Sequence, residues 1–103
     1  MIAIVQEKMD DLIEVCQRRR VRRLALFGSA AAGLFDPTTS DLDFLVEFQP
    51  SSPAQHADCY FGLLEDLERI FCRAVDLVEP QPIRNPYFRQ ALEESQVVVY
   101  AAA

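Results

Sequence analysis

Residues 42–48, LDFLVEF, alternate in a way that leaves few folds open to the chain. Leu42, Phe44, Val46 and Phe48 fall on one face of an extended backbone, and Asp41, Asp43, Leu45 and Glu47 fall on the other. The spacing predicts a strand that lays one face on a core and opens the other with two carboxylates. Such a strand needs partners in a sheet. Val21 to Phe27 is the first candidate, short, apolar at Leu24, Leu26 and Phe27, and ended by Gly28.

The remaining segments supply the rest of a sheet and its cover. From Ile2 to about Arg20, apolar residues at Ile2, Val5, Met9, Leu12, Ile13 and Cys16 recur at the spacing of one amphipathic helix. Ser29 to Leu34 has room for a turn or two of helix, and Asp36 to Asp41 is turn chemistry around Pro37. Gln55 to Cys72 places Tyr60, Leu63, Leu64, Leu67, Ile70 and Phe71 at helical spacing, where they read as core. Ala74 to Pro80 is a short strand stopped by proline. Asn85 caps a helix that has Pro86 at its first position, and QVVVYA is the last strand. The expected architecture is α/β, a sheet flanked by helices.

With 103 residues, half of them apolar, the chain is expected to form a single domain over 1–103. It contains no apolar run long enough to span a bilayer, and its start turns acidic within a few positions, so a cytoplasmic protein without membrane contact is expected. Cys16, Cys59 and Cys72 lie in apolar helical stretches without C-x-x-C spacing and read as buried, reduced thiols. The formal net charge of −6 disfavours nucleic acid as a direct partner, because phosphate backbones attract Lys and Arg. The one concentrated basic stretch is RRRVRR, Arg18 to Arg23. It fits either a solvated helix end or an anion site.

Carboxylates at i and i+2 on a strand point the same way and repel. A hard divalent cation between them, Mg²⁺ above all, turns repulsion into attraction, and two such ions can serve phosphoryl or nucleotidyl transfer. Gly28 and Ser29 offer the complement: a backbone open to close approach, then a hydroxyl beside unfilled N–H donors that suits a phosphate tail. For these to meet, the strands before and after them must run antiparallel. The long helix from Gln55 suits a crossover between parallel strands, which would set Asp76 beside Asp41 and Asp43 as third ligand. Glu47, farther along, reads as solvated or paired, and His56 as surface.

FGSAAAGLFDPTTSDLDFLV followed by VDLV resembles the minimal nucleotidyltransferases of the polymerase-β-like superfamily, over nearly the whole chain. The resemblance implies a mixed four-stranded sheet, ATP as substrate and Mg²⁺ as cofactor. Gly28 and Ser29 would hold the nucleotide phosphates, Asp41 and Asp43 both metals, and Asp76 one metal while helping to deprotonate the acceptor. Small members are similar to the MntA-type antitoxins, which transfer AMP to a tyrosine of a HEPN-type RNase toxin, and an acidic chain suits such a basic partner. The family often reads Gly-Ser-Arg-Ala-Arg-Gly, whereas Ala30 and Ala32 stand at the arginine positions here. That departure motivates a second reading, an antitoxin that neutralises by binding alone. A third is transfer to RNA or a small-molecule hydroxyl, for which so short a chain leaves little room.

Overall fold

The computed structural model of the chain describes residues 2–28, 41–80, 85–87, 90 and 95–102. Residues 42–48 form strand β2 (Leu42–Phe48), and Val21–Phe27 form β1 beside it, antiparallel, with Phe27 opposite Asp43. Strand β3 (Val75–Val78) lies parallel to β2 on its other side, and β4 (Val97–Ala101) lies antiparallel to β1. The order across the sheet is β3-β2-β1-β4. Both strand relationships expected from the sequence are present.

The N-terminal helical segment is two helices rather than one, α1 (Ala3–Glu7) and α2 (Met9–Arg18). Lys8 leaves helical geometry, at φ −109° and ψ 16°, and its N–H reaches back only three residues to the Val5 carbonyl at 3.2 Å. This tight turn lets Val5 and Leu12 both enter the core with no exposure. Asp10 and Asp11 in the first turn of α2, and Arg18 in its last, oppose the helix dipole. Arg20 then turns the chain into β1 at φ 60°.

Helix α3 (Pro53–Phe71) begins at a capping box: the Ser52 hydroxyl accepts from the Gln55 N–H, and the Gln55 side chain accepts from the Ser52 N–H. Leu63, Leu67 and Phe71 line its buried face, and the Phe71 ring sits 6.0 Å from that of Phe44 in β2. Helices α2 and α3 thus cover the face of the sheet that carries Leu24, Leu26, Leu42, Phe44 and Val46, all without exposure.

The cysteines depart from expectation. Cys16 is buried, and burial pushes its thiol up to about 12, but Cys59 is half-buried and Cys72 is exposed at the end of α3, at φ 53°. All three are free thiols. Asn85 does cap a helical start, accepting from the Tyr87 N–H at 3.0 Å, with Pro86 first in the helix. The whole of the expected Ser29–Leu34 helix, the Asp36–Asp41 turn apart from Asp41, and much of the helix after Asn85 lie outside the described residues.

Candidate active site

Antiparallel β1 and parallel β3 flank the beginning of β2, so three distant segments meet at one rim of the sheet. Asp43 stands in register with Phe27 on one side and with Asp76 on the other. Gly28 follows Phe27 at φ 66°, a conformation that side chains disfavour. A Cβ on Gly28 would lie 2.5 Å from the Asp43 Oδ2 atom. Two requirements therefore fix glycine here: the left-handed backbone, and the carboxylate pressed against it.

The electrostatics agree with the geometry. Burial, then the charge of Asp76, then that of Asp41, raises the Asp43 carboxyl above its usual range. Asp41 and Asp76 are exposed and Asp43 is half-buried, so the cluster opens to solvent at the rim. Among the described residues, no three His, Cys, Asp or Glu side chains already form a metal cage. The acids approach one another without closing. This donor set nevertheless fits a hard cation, because a positive charge relieves the repulsion that raises Asp43, and oxygen ligands suit Mg²⁺. Of the expected site residues, Gly28, Asp43 and Asp76 are brought together, and Asp41 adds its field from just before β2. Ser29, and with it Ala30 and Ala32, lie outside the described residues.

The arginine run has work inside the fold. Arg18 and Arg19 both donate to the Asp66 Oδ2 atom, at 3.2 and 2.8 Å, and Arg69 donates to Oδ1 at 2.8 Å. Asp66 is only 2% exposed, and the guanidiniums hold its carboxyl below the usual range although burial pushes the other way. Gly62, one turn earlier, leaves room for Arg19: a Cβ there would lie 2.5 Å from the guanidinium. Sequence reasoning passed over Asp66. The signal was present, an acid inside the apolar stripe of Leu63, Leu67 and Ile70 in a chain with an arginine cluster elsewhere.

Glu47 is paired, with Arg23 at 3.8 Å. His56 is not simply surface. Its Nε2 atom lies 2.7 Å from Glu79, its ring meets Phe48 edge-on at 5.2 Å, and it lines a cavity of about 350 Å³ at the far end of β2.

Residues 9–99 match the family model of the nucleotidyltransferase domain. The chain belongs to that family. A Methanocaldococcus jannaschii protein that bears, provisionally, the name protein adenylyltransferase is 38% identical over 80 residues, 78% of each chain. A second from the same organism, named likewise, is 32% identical over 83 residues, 81% of each. Among solved structures, one described provisionally as a minimal nucleotidyltransferase superposes with a TM-score of 0.68 at 26% identity, over 90% of each chain. A toxin–antitoxin complex with AMP-PNP gives 0.66 at 18% identity, over 91% of this chain and 73% of that one. A complex of a tri-AMPylated Shewanella oneidensis HEPN toxin with an MNT antitoxin gives 0.63 at 16%, over 94% and 72%. These last two show the fold alone. The mixed four-stranded sheet is the minimal nucleotidyltransferase fold, and the family makes the chain a transferase.

Proposed function

We propose that this family member is a single-domain, cytoplasmic, Mg²⁺-dependent protein adenylyltransferase that moves AMP from ATP to a tyrosine of a HEPN-type RNase toxin. The observation that carries the reading is Asp43 set between Asp76 and the bare backbone of Gly28. The names of the curated relatives and the toxin complexes among the fold neighbours support a protein acceptor. So does the charge of −6, which favours a basic protein over nucleic acid.

In this reading Gly28 and Ser29 bind the phosphate tail, and Asp41, Asp43 and Asp76 hold magnesium. Bound there, Mg²⁺ supplies positive charge beside the reacting phosphate. Asp76, exposed at the rim, takes the proton of the tyrosine hydroxyl. The tyrosine oxygen forms a bond to the α-phosphorus. The bond from that phosphorus to the bridging oxygen breaks, and pyrophosphate leaves with its electron pair.

The test is to incubate the purified chain and a HEPN-type partner with ATP and Mg²⁺ and measure the intact mass of the partner. Added AMP units that disappear with Asp41→Ala/Asp43→Ala are expected, and an unchanged partner mass refutes transfer. Ala30 and Ala32 favour one second reading, neutralisation by occlusion. It requires the double alanine variant to protect as well as the parent chain.

A further inference from the structure

Among the described residues Asp76 lies on the outermost strand of the sheet, with no further strand paired beyond it to fix its position. In a parallel ladder the backbone groups of alternate residues point to opposite sides. The Ala74 carbonyl accepts from the Leu42 N–H at 3.4 Å, so residues 74 and 76 turn their backbone groups toward β2. Val75 and Leu77, the neighbours of Asp76, turn theirs outward. Two side chains of α3 meet them there. The Glu68 carboxylate accepts from the Val75 N–H at 3.3 Å, and the Tyr60 hydroxyl donates to the Leu77 carbonyl at 2.6 Å. The Tyr60 ring is itself braced edge-on by Phe61 at 5.2 Å. Burial, then the charges of Glu79 and Asp76, raises the Tyr60 phenol above its usual range.

We infer that Tyr60 and Glu68 are positioning residues for Asp76: from α3 they bond the outer side of β3, where no strand pairs among the described residues, and hold β3 so that Asp76 stands opposite Asp43. The inference rests on the active-site reading above. Both contacts lie within one residue of Asp76, and both are made by the helix that connects β2 to β3. The crossover thus fixes the third acid twice, once by topology and once by side-chain bonds. A displacement of about 1 Å is enough to lower catalysis by up to two orders of magnitude.

The test compares Tyr60→Phe/Glu68→Ala, Tyr60→Phe alone, Glu68→Ala, Glu68→Gln and Asp76→Asn. Three readouts are taken on the full chain: AMP transfer to the partner, magnesium half-saturation followed by thermal shift, and amide exchange of Asp76. For the double variant, kcat is expected to fall about tenfold with the ATP KM within about twofold, half-saturation to move to higher magnesium, and Asp76 exchange to quicken about tenfold. Glu68→Gln keeps an acceptor for the Val75 N–H and should restore what Glu68→Ala loses. Tyr60→Phe keeps the ring and its contact with Phe61, so it carries the test should the double variant not fold, with a loss of about threefold or more expected from one hydrogen bond. Unchanged kcat and magnesium response beside an inactive Asp76→Asn would overturn the positioning role, as would Glu68→Gln as impaired as Glu68→Ala. A fully active Asp76→Asn would instead overturn the active-site reading, and the positioning role with it.

Discussion

At Gly28 one missing methyl group determines how close a backbone comes to a carboxylate. Gly28→Ala would force a side chain into a left-handed φ of 66° and against the Asp43 Oδ2 atom. The backbone strain alone is worth about 1–2 kcal/mol. Because Asp43 must also move, AMP transfer should fall further than stability does, which chemical denaturation and the partner-mass assay can compare. Asp66 shows the opposite use of an acid, buried for structure with three guanidiniums around it. Asp66→Asn leaves those donors facing a neutral group and should lower unfolding stability by roughly 1–3 kcal/mol, less than for a dry pair because Arg18 and Arg69 remain largely open to solvent, 48% and 68% exposed. The pH dependence has a fixed sign. The folded carboxyl sits below its ordinary value of 3.8, so its contribution is present above that value and is lost as pH falls through the depressed one. A series of melts below pH 4 should therefore show the parent chain losing its advantage over Asp66→Asn.

Helix α3 matters most among the elements, since it connects β2 to β3, covers the sheet and reaches the outer edge of β3. Its start depends on the Ser52 and Gln55 capping box, and Ser52→Ala should cost about 1 kcal/mol in thermal unfolding. Transfer at 25 °C should be unchanged, because Tyr60 and Glu68 lie beyond the first turn. The strands were legible from the sequence because alternation and turn residues mark them locally: β1 and β2 have the bounds that the apolar runs predict. The convergence of Asp43 and Asp76 was legible too, since an antiparallel step and a helical crossover each set direction. The break at Lys8 was not, because it preserves the apolar spacing between Val5 and Leu12 and changes only backbone geometry. Nor were the bonds from Tyr60 and Glu68 to β3, whose partners are backbone atoms and leave no mark in residue type.

For the whole molecule, the acidic rim opposes its own folding. The carboxyl of Asp43 is raised by burial, Asp76 and Asp41, so the folded chain binds that proton more tightly than the unfolded one. Its stabilising contribution is present below the ordinary carboxylate value and lost as pH rises through the raised one, so near neutrality the ionised cluster is a net strain. Removing one charge should relieve it. Asp43→Asn in EDTA at pH 7 should melt higher than the parent chain by on the order of 1 kcal/mol, roughly 4–8 °C for a domain of this size. Magnesium should reverse the order, because an ion that binds the folded rim stabilises it by mass action, about 2.7 kcal/mol at a hundred times its dissociation constant. The parent chain should therefore gain melting temperature with Mg²⁺ while Asp43→Asn stays nearly flat, and added Na⁺ at matched ionic strength should give the parent only the smaller gain that screening supplies. A variant that melts lower than its parent without metal would mean that the acids are not in repulsive contact. Equal magnesium responses would mean that Asp43 does not hold the ion.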